Sequence, residues 1–449
     1  MKKRILSLIL CAAVLCTACV AGGNDKKSDG ENIKKNNKPA LTVYMLEDDN
    51  NVWKSVRAFN IANPEYNVKV EVGISEEDSV TRTDAIKKLN TELMAGEGPD
   101  IIFLDGLPIE SYIQKGILAD LSEPMETLEE NGETLFENVA SAYEREGKKY
   151  AVPAFFSVPI VVGEKEKVNS EDLNVVLKKG EKLSDELIQY LAVNWRAAVP
   201  MMLLTSWEQI FQGGEVDKEL VKVFLENAKS IMENSEVDLS LEYYKEDPPF
   251  ERMIGDFPSY SLAIHEISFG ITSLMMGSLG TIIEDGAAIQ SLNNQMEIFY
   301  QYLNQGNGKK FLPKKILGIS AVTANEEGAE KFVEYFLSAK NLSTDDYNTI
   351  LSVNKTCVKK LLPQSEEKKY ITEFYLDEEM TKKFEIYEFS PKEAEEFLQF
   401  LDEAETPIDV EWMMLEMVLM ETKKYVYEGA SLEDTINTIA QKMDIYQAE

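Results

Sequence analysis

Histidine and cysteine are scarce in this 449-residue sequence, and their scarcity excludes several kinds of chemistry. The single histidine, His265, lies among apolar residues and is predicted to be a core or cleft-rim side chain. A Ser-His-Asp triad would have to use it, and a structural zinc site lacks ligands altogether. No glycine-rich phosphate loop of either common pattern is present. We therefore expect neither a metal nor another cofactor.

Basic residues are also few relative to acidic ones. The chain contains 46 Lys and Arg against 79 Asp and Glu, for a net charge of −33. Such a surface repels nucleic acid and anionic lipid, which argues against both as direct partners. Solubility alone explains dispersed negative charge, so the charge does not identify a cationic ligand.

The first 19 residues have the pattern of an export signal. A basic start, Lys2 to Arg4, precedes an apolar run over residues 5–15 and small residues before Cys19. The run is too short to cross a bilayer as a helix. Cys19 resembles the lipobox cysteine of bacterial lipoproteins, although Cys16 stands where Leu is usual. Cys11 and Cys16 are weaker candidates, and secretion without acylation is the alternative.

Residues 20–39 have almost no apolar content and are predicted to form a flexible tether between a lipid anchor and the folded body. A lipid-anchored chain would stay at the extracellular face of the cell membrane. Beyond the three cysteines near the N-terminus only Cys357 remains, so no disulfide can form within the folded part. Stability must come from an apolar core, and the chain is long enough to bury a large one.

Residues 93–121, LMAGEGPDIIFLDGLPIESYIQKGILADL, contain a helix end, a buried strand, a loop and a second helix. Gly96 and Gly98 permit the positive φ that ends a helix, and Pro99 prevents its continuation. The apolar run 101–104 predicts a strand covered on both faces, as in a parallel sheet. Ligands of open α/β sheets bind beyond the carboxyl ends of strands, so Asp105 and Gly106 are predicted to meet a small solute.

Other segments extend this α/β pattern. Strands are predicted at 41–46, 68–72 and 316–322, the last after a loop at 306–313. Helices are predicted at 218–234, after Asn325, at 392–403 and at 410–427, with a capping pair Ser431 and Asp434 before the last helix. Residues 149–162 are rich in β-branched and aromatic residues but contain Pro153 and Pro159, which predicts a bent, extended segment.

The segment GEGPDIIFLDG with YIQKGILADL resembles the extracellular solute-binding proteins of carbohydrate-uptake ABC transporters. Three further segments resemble that family in the same chain order: GKKYAVPAFFSVPIVVGEKEKV from residue 147, FLPKKILGISAVTANEEGAEKFVEYFLS from residue 311, and YEGASLEDTINTIAQKMDIYQAE at the C-terminus. These segments frame nearly the whole mature chain, and residues 169–307 match only loosely.

The resemblance implies a two-lobe periplasmic-binding-protein-like fold of type II. Each lobe would be a mostly parallel sheet flanked by helices, with a hinge between them. Lobe 1 is expected to contain residues 40–154 and about 305–345, and lobe 2 residues 155–304 and about 346–449. The protein would then be a monomeric receptor that captures a sugar or oligosaccharide between the lobes. It would not convert this solute but would deliver it to ABC permease subunits.

The resemblance places the loop after the first strand and the Asp105 loop on the same cleft edge. Sugars are bound by aromatic faces together with carboxylates and amides. Asp48, Asp105 and Gly106 are therefore candidate ligand contacts, and Trp53 is the leading stacking candidate. The alternatives are core packing for Trp53 and capping of the following helix for Asp105.

Four further candidates follow from the crossing segment and the second lobe. Phe155, Phe156 and Ser157 lie where the family's chain passes between lobes, and alternation predicts that one Phe faces the cleft and the other the core. Trp207 is a weaker aromatic candidate in the loosely matched part. The acidic run Glu47 to Asp49 does not have calcium-loop spacing and is predicted to be solvated.

Other functions remain open from sequence alone. A secreted carbohydrate-degrading enzyme would require two carboxylates facing each other across a pocket at about 5–10 Å. A receptor for a peptide or polyamine would share the fold and differ in the pocket. A surface adhesin would lack an open cleft.

Overall fold

The structure of the chain is a computed structural model. It describes residues 40–74, 80–165, 177–193, 195–211, 215–235, 275–280, 286–303, 308–348, 350–375, 383–408, 410 and 412–448. The predictions for the signal segment, Cys19, the tether and His265 lie outside these residues. None of the helices among the described residues is long and apolar enough to cross a membrane.

Twelve strands and sixteen helices are described. The strands are β1 Ala40–Glu47, β2 Asn67–Ile74, β3 Ile101–Phe103, β4 Glu144–Arg145, β5 Lys148–Lys149, β6 Val152–Glu164, β7 Met275–Leu279, β8 Ile298–Tyr302, β9 Lys310–Ile319, β10 Tyr370–Tyr375, β11 Lys383–Tyr387 and β12 Thr406–Pro407. The helices are α1 Asn50–Ala62, α2 Arg82–Ala95, α3 Ile109–Gln114, α4 Ser122–Glu130, α5 Glu137–Ala140, α6 Asp185–Val193, α7 Trp195–Thr205, α8 Trp207–Ile210, α9 Lys218–Glu233, α10 Ala287–Met296, α11 Glu326–Leu337, α12 Ala339–Leu342, α13 Lys355–Leu361, α14 Pro391–Asp402, α15 Trp412–Tyr427 and α16 Leu432–Ala448.

An eight-stranded sheet organises the fold. Its order is β2-β1-β3-β9-β6-β7, with β12 beside β9 and β8 beside β6. β1 is parallel to both β2 and β3, as strands joined through the helices α1 and α2 require. β9 runs antiparallel to β3 and to β6. Together with the flanking helices, this confirms the α/β fold class.

β6 is the longest strand and joins two parts of the sheet. Residues 152–157 pair with β9, and residues 158–164 pair with β7 and β8. The predicted extended segment is thus confirmed. Pro153 and Pro159 both lie within it, opposite Ile316 and Ser278. Each proline removes only its own N–H from the ladder, so the strand continues through both.

Alternation in β1 divides the surrounding core. Leu41, Val43 and Met45 pack into one apolar cluster, whereas Tyr44 and Leu46 pack into a second cluster on the opposite face. Because side chains alternate along a strand, burial of both sets means that both faces of the sheet are covered. A third cluster consists largely of side chains from α6, α7, α9, α15 and α16.

Local capping signals in the sequence correspond to the observed helix ends. Gly96 ends α2 with φ of +73°, a left-handed conformation that glycine adopts without steric cost. The Asn325 side chain accepts a hydrogen bond from Gly328 N at the start of α11. Before α16, Ser431 Oγ accepts from Asp434 N at 3.1 Å. These predictions are confirmed.

Glu393 in α14 gives the fold a pH-dependent element. It forms a capping box with Ser390 and accepts a hydrogen bond from Lys368. Burial opposes its ionisation, but Lys368 and Ser390 outweigh this and lower the Glu393 pKa from 4.5 to about 2. A lowered folded-state pKa stabilises the fold above the unfolded-state pKa, and this stabilisation is lost as pH falls through the folded-state value.

We therefore expect the stability difference between wild type and Glu393→Gln to be largest above pH 4.5 and to shrink toward pH 2. Denaturant unfolding of both proteins across this range measures the difference. Glu395→Gln, which changes an exposed carboxylate on the same helix, serves as the control. A difference independent of pH would contradict the assigned role.

Candidate functional site

The carboxyl ends of β1 and β3 lie side by side because these strands are parallel neighbours. The acidic loop Glu47 to Asp49 begins at the last residue of β1, and Asp105 and Gly106 follow β3. Ligands of α/β sheets bind beyond such strand ends. The two loops singled out in the sequence therefore belong to one edge of the sheet.

Lys315 of β9 ties the two loops together. Its backbone N–H donates to Asp105 Oδ1 at 2.7 Å, and Ile316 N donates to Asp105 Oδ2 at 2.9 Å. The Lys315 ammonium forms an ion pair with Asp49, which also caps α1 through Asn51 N and Val52 N. Lys315 has φ of +46°, unusual for a residue with a side chain. Sequence reasoning missed this residue.

The two carboxylates joined by Lys315 have opposite pKa shifts. For Asp49, burial acts to raise the pKa, but the Lys315 ammonium and the backbone N–H donors outweigh it, so the pKa is lowered. For Asp105, burial prevails over Lys315 and the backbone donors, and the pKa is raised. One interpretation of the sequence was that Asp105 caps α3. It is wrong, because α3 begins after Pro108 without a side-chain cap and both Asp105 oxygens accept from β9. Asp105 fixes the β3 loop to β9.

Gly106 accommodates a close approach by an arginine. Its φ is +73°, and a Cβ at this position would lie 2.8 Å from Arg82 Nη1. Arg82 in turn forms an ion pair with Glu47. Any larger residue at 106 would meet both backbone strain and the guanidinium. Arg82 is a second residue of this edge that sequence reasoning missed.

Trp53 is half-buried at the start of α1. Its indole Nε1 donates to Asp48 Oδ1 at 2.6 Å, and its ring also packs against the core cluster beside β1. Core packing, one of the two interpretations of Trp53, therefore holds for part of the ring, and stacking on a sugar stays a prediction. Asp48 is exposed and fixes the indole from the solvent side.

A pocket of about 140 Å³ adjoins the β3 loop. We call it the strand-tip pocket. Its lining is mostly apolar, with Glu110, Ser111 and Tyr143 as the residues that carry polar side-chain atoms. The lining residues are Leu104, Gly106, Leu107, Pro108, Ile109, Glu110, Ser111, Tyr143, Leu312, Pro313, Ile316, Ile408 and Val410.

The crossing segment does not present an aromatic ring to a pocket. Phe155 and Phe156 are 1% and 0% exposed, and Ser157 is fully buried. We expected one of these two phenylalanines to face the cleft. Both are buried instead, because β6 is covered on both faces. Ser157 Oγ has no hydrogen-bond partner among the described residues.

Trp207 also lies away from the strand ends. It is buried in the helical cluster of α6, α7 and α9, where its ring contacts Phe211 at a centroid distance of 4.2 Å. The structure therefore brings together Asp48, Trp53, Asp105 and Gly106. It places Phe155, Phe156, Ser157 and Trp207 in the core.

The acidic loop after β1 is engaged in ion pairs. Glu47 pairs with Arg82 and Asp49 pairs with Lys315. Within the described part of the chain, no group of three or more metal-ligating side chains is found. The loop shapes the edge of the sheet through salt bridges.

A pocket and charged loops at the strand ends of an α/β sheet form the arrangement in which such sheets bind small solutes. Residues 54–359, more than half of the sequence, match the family described as bacterial extracellular solute-binding protein. The chain belongs to this family. It is therefore an extracellular solute-binding protein. A comparison of the sequence with curated proteins found no match.

Solved solute-binding proteins are similar to the chain over most of its length. One is the ABC substrate-binding protein from Listeria monocytogenes in complex with cycloalternan, with 16% identity, a TM-score of 0.46, and 91% of this chain and 99% of that chain covered. Another, from Agrobacterium vitis with bound D-mannitol, has 13% identity, a TM-score of 0.48 and coverages of 91% and 98%. A family 1 protein from Alicyclobacillus acidocaldarius has 14% identity, a TM-score of 0.43 and coverages of 91% and 98%.

Proposed function

We propose that this protein captures a sugar or oligosaccharide at the edge formed by the loops after β1 and β3, and delivers it to the permease subunits of an ABC importer. One observation carries the proposal: Asp49 and Asp105, on two different loops, are both bound by Lys315 of β9. Trp53 and the strand-tip pocket flank this junction. A receptor that binds its solute without converting it needs a binding edge of fixed shape and does not need a catalytic group.

Trp53 and Asp48 support a carbohydrate ligand. An indole held at its edge by a carboxylate offers a flat face to the C–H surface of a sugar ring, and nearby carboxylates accept hydrogen bonds from hydroxyls. The ring remains half-buried and hence partly available to solvent. The apolar lining of the strand-tip pocket supports a second candidate, a peptide with an apolar side chain.

The proposed lobes are residues 40–154 with about 305–345, and residues 155–304 with about 346–449. β6 and β9 would carry the chain between them, and the pairing of the two halves of β6 with different strands supports this division. Solute contacts with both lobes would favour a closed state, because a ligand shifts a hinge only through its differential affinity for the two states.

For attachment, we propose acylation of Cys19 and tethering through residues 20–39, which keeps a monomeric receptor at the extracellular face of the membrane. The lipobox-like position of Cys19 after a short apolar run supports this. We propose no enzymatic activity and no nucleic-acid partner. Mass spectrometry of the membrane fraction would test acylation.

A thermal-shift screen of the mature protein against sugars, peptides and polyamines tests the solute class. A true ligand at 100 times its Kd adds about 2.7 kcal/mol of stability. We expect sugars to raise the melting temperature and Trp53→Ala to weaken sugar binding about tenfold, the value of a lost aromatic contact.

Tyr370→Ala, which removes an exposed aromatic ring elsewhere, is the control and should leave affinity unchanged. A shift produced by peptides but not by sugars would replace the carbohydrate proposal with the second candidate. Equal affinity of wild type and Trp53→Ala for a bound sugar would remove Trp53 from the site.

A further inference from the structure

The carboxylates of the loops after β1 and β3 are already engaged by the protein. Both oxygens of Asp105 accept backbone N–H groups of β9, at 2.7 Å and 2.9 Å. Asp49 is paired with Lys315, and Glu47 is paired with Arg82. A sugar hydroxyl that displaced one of these partners would exchange one hydrogen bond for another and gain little. These three carboxylates therefore shape the edge, and a ligand needs other acceptors.

Glu110 of α3 is a carboxylate with an oxygen to spare. It is the charged residue among the described residues that line the strand-tip pocket. Its side chain is 36% exposed, and Arg145 of β4 donates to its Oε1. Within the described part of the chain, its Oε2 accepts no hydrogen bond. One oxygen is thus fixed by an ion pair, and the other is left for a ligand donor.

Ser111, the next residue of α3, adds a hydroxyl to the same pocket. It is half-buried, and its side chain makes no hydrogen bond to the residues that the structure describes. A serine hydroxyl both donates and accepts, whereas a carboxylate oxygen only accepts. Glu110 and Ser111 together therefore offer the mixture of acceptors and donors that sugar hydroxyls require.

Aliphatic side chains form much of the remaining wall. Leu107 and Ile316 come from the proposed lobe 1, whereas Ile408 and Val410 come from the proposed lobe 2. A ligand in this pocket would contact both lobes, as a ligand that shifts a hinge must. The volume of about 140 Å³ is below the range of about 300–1,000 Å³ for drug-sized molecules, so the pocket fits one sugar ring.

The ion pair between Glu110 and Arg145 sets the charge of the pocket lining. The chain as a whole carries a net charge of −33, yet the carboxylate that faces this pocket has a cation beside it. An unpaired carboxylate would attract a cationic amino sugar and repel an acidic sugar. Because Arg145 balances Glu110, the lining favours neither of them over an uncharged sugar.

We propose that the strand-tip pocket holds one ring of a neutral sugar, with Glu110 and Ser111 as its hydrogen-bonding residues and Arg145 as the residue that sets its charge selectivity. This inference rests on the proposed function and adds residues to its site. Glu110 Oε2 accepts a hydrogen bond from one sugar hydroxyl, and Ser111 Oγ bonds to another. Arg145 acts through Glu110 as a positioning residue, because it fixes the carboxylate and balances its charge.

The test measures the binding of two matched sets of sugars to the mature protein. One set is glucose, glucosamine and glucuronate, and the other is galactose, galactosamine and galacturonate. All titrations use one ionic strength and a slightly acidic pH, at which the amino sugars are cationic and the uronates anionic. For wild type, we expect the neutral member of at least one set to bind more tightly than its two charged relatives.

Two variants should shift this preference in opposite directions. Glu110→Gln leaves Arg145 without its partner, so it should weaken binding of the neutral sugar about tenfold and shift the preference toward the uronate. Arg145→Gln leaves Glu110 unbalanced, so it should shift the preference toward the amino sugar. Lys148→Gln removes an exposed charge opposite Arg145 in the β4–β5 hairpin. It is the matched control and should retain the wild-type preference.

A purely structural role for the ion pair would weaken all three sugars of a set alike in both variants, and that result would overturn the proposal. Wild-type affinities in both variants, or no binding of either neutral sugar to wild type, would also overturn it. In each of these cases, binding of another sugar in the thermal-shift screen would leave the receptor function standing. If no solute of any class bound to wild type, the proposed function would fail as well.

Discussion

Phe156→Ala is expected to lower the free energy of unfolding by about 3–5 kcal/mol, the range for truncating a buried phenylalanine. Phe156 is fully buried in β6. Its ring makes edge contacts with Phe136 and Phe311, at centroid distances of 5.4 Å and 6.2 Å. Alanine would leave a cavity between these rings, because neighbours relax only partly. Denaturant unfolding of wild type and variant measures the loss.

Phe156→Leu, which retains most of the volume, should cost clearly less and serves as the control. Neither variant should change the solute affinity of the folded fraction, because the ring lies in the core. A Phe156→Ala protein of normal stability that failed to bind solute would instead place the ring at the site, as the alternation in the sequence allowed.

Asp105→Ala is expected to lower the free energy of unfolding by about 3 kcal/mol, since hydrogen bonds to a charged group contribute about 1.5–3 kcal/mol each. The variant leaves the N–H groups of Lys315 and Ile316 without their acceptor. It also frees the β3 loop from β9, so solute affinity should fall together with stability. Denaturant unfolding and a solute titration measure the two effects.

Asp105→Asn keeps one carbonyl oxygen and should show an intermediate loss of stability. Asp48→Ala is the control for stability, because Asp48 is exposed and bonds only to the edge of Trp53 among the contacts described. If Asp105→Ala were as stable as Asp48→Ala while binding solute poorly, Asp105 would be a direct ligand contact and its bonds to β9 unimportant.

Local patterns were sufficient to predict much of the fold. The apolar run before Asp105 corresponds to β3, and the glycine at position 96 ends α2 in the predicted left-handed conformation. Such signals depend on residues adjacent in sequence, where spacing and backbone preference act directly. The positions of the loops after β1 and β3 followed from the same local signals.

Long-range contacts were beyond the reach of sequence patterns. Lys315 and Asp49 are 266 positions apart, and nothing near either residue indicates the other. β9 begins at Lys310 and passes through Pro313, where the sequence predicted a loop. The strand persists there because its ladder with β6 compensates for the single missing donor.

The crossing segment shows why alternation alone placed one of two phenylalanines at the cleft, whereas both are buried. Side chains alternate between the two faces of a strand. This alternation separates buried from exposed residues only where one face of the sheet is exposed to solvent. β6 pairs with β9 along its first half and lies between β7 and β8 along its second half, and apolar clusters cover both of its faces. Burial therefore depends on the layers above and below the sheet, which one strand's sequence does not report.

The shared anchor at Lys315 has a consequence for affinity. Because one residue holds loops from two strands, this wall is preorganised before any guest arrives. Association then incurs little of the entropic penalty of immobilising loose backbone, which otherwise weakens complexes formed by mobile segments. A tightly fixed wall also narrows the set of shapes it can accept, so selectivity is built into the resting receptor.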